Sequence, residues 1–137
     1  MKKVMLLILV MLITACSKQT LNCKSSNTDE QGNINEIKYT FEYIKDVLET
    51  VDKNTKIKVK DIENTKFIYE MYGQTFNMFK DPGIKMSGSY RKNTINIFIK
   101  IDVDKIETVN EINSIAKMNY DYRQMSLFLE AEGYDCK

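Results

Sequence analysis

The sequence predicts an α+β fold: a four-stranded antiparallel sheet from two ββα units, with two helices packed on one face. Three observations predict it. Apolar and polar residues alternate over residues 37–43 and again over 95–103, the period of a half-buried strand. Two other stretches space their apolar residues by three to five, the period of an amphipathic helix. Each helical stretch closes at a breaker, Asp81-Pro82-Gly83 in one and Gly133 in the other.

In IKYTFEYI, Ile37, Tyr39, Phe41 and Tyr43 share one side of a strand, and Lys38, Thr40 and Glu42 the other. Lys45-Asp46 supplies a tight turn, and VLETVDKNTKIKVK returns as a second strand. Val47, Val51, Ile57 and Val59 share its inner side, with a bulge expected at residues 52–54. Asp61 then N-caps a helix. Ile62, Phe67, Ile68, Met71, Tyr72, Phe76 and Phe79 form its apolar stripe, which suits core packing better than a ligand pocket.

The second unit repeats this order. GIKMSGSY sets Ile84, Met86, Gly88 and Tyr90 against Lys85, Ser87 and Ser89. After a turn at residues 91–93, TINIFIKIDV sets Ile95, Ile97, Ile99, Ile101 and Val103 against Asn96, Phe98, Lys100 and Asp102. Residues 104–117 read as a loop or a short helix. In NYDYRQMSLFLEAEGY, Asn119 is the expected N-cap, and Tyr122, Met125 and Leu129 share one face. Gly133 is placed as C-cap, with Tyr134 packing back onto the last turn. The uncovered sheet face would then be polar apart from Phe98, and Phe98, Lys85, Ser87, Ser89, Asn96 and Lys100 form its candidate binding patch.

The chain has 137 residues, of which 43% are hydrophobic, enough for one small domain with a single core. At its front, Lys2 and Lys3 precede an apolar run over residues 4–15 that is shorter than the roughly 20 residues a membrane span needs. The run ends in Ile-Thr-Ala-Cys, which resembles the lipobox of bacterial lipoproteins. That resemblance implies cleavage after Ala15 and a diacylglycerol thioether on Cys16, two acyl chains being enough for a stable anchor. It places the chain on the outer face of the cytoplasmic membrane, or on an outer membrane if the organism has one. Ser17 stands where an inner-membrane retention signal often has Asp.

The reading divides the chain into a lipoprotein signal peptide (1–15), the lipidated Cys16 with a polar tether (16–35), and one α+β domain (36–137). Asn27, Asp29, Gln31 and Gly32 faintly resemble a calcium loop. Lys38 occupies the place of its closing glutamate, so the segment reads as a flexible loop and no metal site is assigned. An exported pair of cysteines, Cys23 and Cys136, is expected to bridge, with free thiols or a redox pair as the alternatives.

Removing residues 1–15 takes away two lysines and no acid, leaving 18 basic and 19 acidic side chains. There is no cationic surplus for nucleic acid. The chain has no histidine, which excludes His-based triads and imidazole-ligated zinc. No cofactor is implied.

The lipobox, LNCK, YTFEYIKDVLE, GIK…NTINIFIKIDVDKI and the terminal FLEAEGYDCK together resemble the YehR-like small bacterial lipoproteins. The resemblance runs along essentially the whole chain. Its most specific part is Leu-Glu-x-x-Gly-Tyr-x-Cys-Lys, which ends in Tyr134, Cys136 and Lys137. It implies an envelope lipoprotein and carries no catalytic residues to transfer.

On the residues themselves, enzyme chemistry finds little. Asp102-x-Asp104 suits an element cap better than a cation site. Lys85, Ser87 and Ser89 could form a Ser-Lys nucleophile, but one regular strand offers no oxyanion hole. Glu130 and Glu132 point in different directions on a helix. The expected function is a non-enzymatic binding or interaction module for an envelope protein or small ligand. The alternative is an envelope enzyme using carboxylate or Ser-Lys chemistry.

Overall fold

The computed structural model describes residues 17–137; the expected signal peptide (1–15) and the expected lipidation site Cys16 lie outside the described residues. The sheet has six strands rather than four. They are β1 (Lys18–Thr28), β2 (Ile34–Ile44), β3 (Val47–Lys58), β4 (Ile84–Arg91), β5 (Thr94–Asp102) and β6 (Asp135–Cys136). Their order is β4-β5-β3-β2-β1-β6, antiparallel throughout. Helix α1 (Thr65–Met78) joins β3 to β4, and α2 (Tyr122–Ala131) precedes β6.

The four expected strands lie side by side, and the correction is at one edge. Residues 18–28, expected as tether, pair with β2 along their whole length, from Lys18 opposite Ile44 to Thr28 opposite Ile34. The pattern hides this strand because only Leu21 and Cys23 of β1 are fully buried. The loop that resembled a calcium site is the β1–β2 turn. The Asp29 carboxylate accepts from the Asn33 backbone N–H at 2.8 Å and from its side-chain amide at 2.9 Å. These bonds hold the Asp29 carboxyl below the usual range.

Lys45 and Asp46 both take positive φ, 51° and 64°, as a two-residue hairpin turn requires. The bulge lies nearer this turn than expected. Glu42 pairs with Thr50 and Tyr43 with Leu48, which leaves Glu49 as the extra residue. The shift explains why Leu48 is buried and Val47 is 58% exposed.

The core lies on one face, in rows that cross the sheet. One runs Leu21–Phe41–Val51–Ile101–Ile84, and the next runs Cys23–Tyr39–Lys53–Ile99–Met86. Met125 and Leu129 of α2 complete the core over β1, and Ile106, Ile112, Ile115 and Ala116 close it from the β5–α2 connection. That connection consists of 3-10 turns at Val103–Lys105 and Ser114–Lys117. Buried Asn113 staples it, donating to the Thr108 carbonyl at 2.8 Å and accepting from the Asn110 N–H at 2.8 Å. Among the described residues every fully buried apolar side chain falls between Leu21 and Leu129, and Cys23 is bonded to Cys136. Residues 17–137 therefore hold a core of their own.

The caps differ in part from expectation. Asp61 caps a 3-10 turn (Ile62–Asn64) that leads into α1. Asp121, not Asn119, caps α2, in a reciprocal box with Gln124. Gly133 (φ 89°) ends α2 as expected. Its N–H donates to Glu130 O and that of Tyr134 to Leu129 O. Tyr134 packs back onto the Tyr39 ring.

Tyr43 is wholly buried, and its hydroxyl has no hydrogen-bond partner among the described residues. Burial, with the Asp121 charge and Tyr122 behind it, pushes its pKa up to about 12. An unfolded tyrosine ionises near 10. The folded state thus holds the extra proton between the two values, and stability, full below about pH 10, falls as pH rises toward 12. The loss attributable to this group is about 2–3 kcal/mol. Tyr43→Phe should remove this alkaline limb in denaturant titrations. At neutral pH it should cost nothing or stabilise by up to about 1 kcal/mol, because it deletes an unsatisfied buried hydroxyl.

Candidate functional site

The outer sheet face, away from the helices, carries the patch expected from the alternation. Cross-strand pairing sets Ser87 against Phe98, Lys85 against Lys100 and Ser89 against Asn96. All six side chains are exposed, Phe98 at 39%. The rows continue into β3 and β2: Phe98 faces Asn54, which faces Lys38, and Lys100 faces Asp52, which faces Thr40. Lys24, Ser26, Glu36, Lys38, Asn54, Lys56 and Asn96 outline a shallow depression of about 510 Å³.

Two of the acids considered for catalysis take other partners. Asp102 is engaged by the Lys105 ammonium, which raises the Lys105 pKa. The Ser126 hydroxyl donates to Glu130, whereas Glu132 is the C-cap residue of α2. Among the described residues no three His, Cys, Asp or Glu side chains cluster to hold a metal.

The inner face holds a site that sequence reasoning missed. Helix α1 lies over β4, where the Tyr69 hydroxyl donates to the Gly88 carbonyl at 2.9 Å. A Cβ on Gly88 would meet the Phe76 and Tyr69 rings at 3.0 and 3.1 Å, so glycine permits this approach. Helix α2 lies over β1 at the other side. Between them β2, β3 and β5 are only partly roofed. The gap is a groove of about 420 Å³ with Ile37, Thr55, Ile97 and Ile99 on its floor and Tyr72, Thr75 and Phe76 of α1 as one wall. Met86, Ile112 and Lys53 also line it, and Asn27 and Asn35 stand at its β1–β2 rim.

Tyr72 and Thr75 border a second depression of about 570 Å³ with Gln31, Asn33, Ile68 and Met71. Burial, and then the Asp29 charge, push the Tyr72 phenol pKa up. The stripe read as core is therefore divided. Of its residues Ile68 and Phe76 pack on the sheet, joined by Tyr69 from outside the stripe, while Ile62 (58% exposed), Phe67 (64%), Met71 (55%) and Tyr72 (37%) remain open. Lys53 was the available signal, a cation on the inner parity of a strand between Val51 and Ile57.

No family model and no curated protein matches this chain. Two solved structures are similar in fold. The NMR structure of the E. coli YehR protein shares 21% identity over 88% of this chain and 92% of that one, with a TM-score of 0.64. The NMR structure of a protein from Streptococcus pneumoniae TIGR4 shares 11% identity over 88% and 86%, with a TM-score of 0.52. The resemblance read from the terminal motif therefore holds as a YehR-like fold.

Proposed function

We propose that this chain is a non-enzymatic binding module of the bacterial cell envelope, anchored through diacylglycerol on Cys16. The observation that carries the reading is the inner-face groove. It is of ligand size, mostly apolar, floored by the sheet and walled on one side by α1. The anchor rests on the lipobox alone, and among the described residues no helix is long and apolar enough to cross a membrane.

Under this reading the domain stands on the bilayer without a spacer. Strand β1 begins at Lys18, two residues after Cys16, and the Ser17 carbonyl accepts the Lys45 N–H at 3.3 Å. The outer patch around Phe98 offers a second surface: Lys24 and Lys56 are ion-paired to Asp135 and Glu36, while Lys38, Lys85 and Lys100 enter no ion pair among the described residues and suit an acidic partner.

The anchor is tested by metabolic labelling with an alkyne fatty acid. The full chain should take up label and sediment with membranes, and Cys16→Ser should do neither. Equal labelling and sedimentation of both would defeat the anchored reading. Photo-crosslinking from the groove and from Phe98 in native membranes tests the binding role. A specific adduct at either position supports it, and bare protein at both refutes it.

A further inference from the structure

We propose that the inner-face groove binds a single-chain anionic amphiphile, an apolar chain ending in a carboxylate or phosphate. The inference rests on the binding-module reading and names its ligand class. Its starting point is Lys53. On the core side of the central strand β3, Lys53 stands between Tyr39 and Ile99 in a row otherwise made of Cys23 and Met86. Lys53 is half-buried there, its stem packed along this face and its charged end at the lining of the groove.

Its ammonium lies 5.4 Å from the centre of the Tyr39 ring. No ion pair among the described residues includes it. A ring face offers a cation only part of what a carboxylate would. The adjoining floor is apolar, from Ile37 across Thr55 to Ile97 in the next row and Ile99 beside Lys53. One cation at an apolar floor and an aromatic wall matches a ligand with one anionic end and one hydrocarbon body.

A peptide strand fits less well. The groove crosses β2, β3 and β5, which are paired on both sides, so no free backbone edge is presented to it. A cationic or neutral amphiphile would bury its head against the ammonium without compensation. Tyr72 and Thr75 border the second depression as well.

The test is calorimetric titration of residues 17–137 below micellar concentration. The probes are laurate, dodecyl phosphate and dodecyltrimethylammonium. The two anions should bind and the cation should not, and the preferred anion identifies a carboxylate or a phosphate as the head. Lys53→Gln should weaken the anions by roughly tenfold or more, the usual range for a hydrogen bond to a charged group. Thr55→Trp, which fills the floor, should abolish binding. Lys53→Arg, which keeps the charge, should retain it and so separates charge recognition from damage to folding.

Equal binding of anion and cation, indifference to Lys53→Gln, or no binding of any probe would each overturn the inference. The wider reading fails separately. A crosslinked partner at Phe98 with an unresponsive groove leaves the binding module standing and removes only this ligand class.

Discussion

Replacing both bridging cysteines, as Cys23→Ala with Cys136→Ala, should destabilise residues 17–137 by about 4–5 kcal/mol, an upper figure from chain entropy that native strain often reduces. The bridge spans a sequence separation of 113 residues, nearly the whole domain. Its loss removes more than loop-closure entropy. Strand β6 has two residues and holds β1 through Cys23 opposite Cys136 and Lys24 opposite Asp135. Two backbone bonds between Asn22 and Lys137, at 2.9 and 2.8 Å, complete the clasp.

So short a strand frays without a covalent tie, and Tyr134 then loses its seat against Tyr39. Chemical denaturation should show the lowered midpoint, and Tm should fall by on the order of 15 °C. Hydrogen exchange should speed first at Asn22 and Lys137, ahead of β5. An unchanged midpoint would mean that the strand pairing suffices to hold β6.

Gly83→Ala should cost about 3 kcal/mol. A Cβ there would stand 2.5 Å from Ile106 N, 2.7 Å from the Lys105 carbonyl carbon and 2.9 Å from Asp102 O, all backbone atoms that cannot rotate aside. The same place is tied by Asp81, whose carboxylate accepts the N–H groups of Gly83, Glu107 and Thr108 at 2.8, 3.1 and 3.0 Å. These bonds hold the Asp81 carboxyl below its ordinary range. The substitution therefore pushes apart the start of β4 and the chain that leaves β5.

Gly73→Ala is the control. Gly73 lies inside α1 with nothing within 4 Å of the added methyl, so it should stabilise by about 0.5–1 kcal/mol. Urea titrations of the pair should move in opposite directions. Loss of stability in both would show that helix α1 is sensitive to any added bulk.

The most legible parts of the fold are those where local pattern and tertiary burial agree. Ile95, Ile97, Ile99 and Ile101 alternate in the sequence and are all buried in β5. Gly133 ends α2 because a positive φ suits glycine there. Strand β1 was hidden because a strand next to the sheet edge, covered along only part of its length, needs few apolar residues. Leu21 and Cys23 are too short a run to show a period. The division of the α1 stripe was hidden for a different reason. Periodicity gives which side chains share a face, but not how far the next helix stands from it.

The candidate sites follow the same logic. The patch around Phe98 is a matter of strand parity, so Lys85, Ser87, Ser89, Asn96 and Lys100 could be placed beside it from sequence. The groove requires α1, Ile112 of the β5–α2 connection and the β1–β2 rim to meet around the sheet, a tertiary arrangement that no local pattern encodes. Lys53 lies at the meeting of the two: its parity is legible, and its setting is not.

Native mass spectrometry of the full-length protein, released gently from its own membranes, tests the central claim most directly. A binding module anchored at Cys16 should appear as a chain beginning at that residue, with covalent diacylglycerol and a further non-covalent adduct that Thr55→Trp or Phe98→Ala removes. A chain that retains residues 1–15, or a lipidated chain with no adduct that either substitution alters, would contradict it.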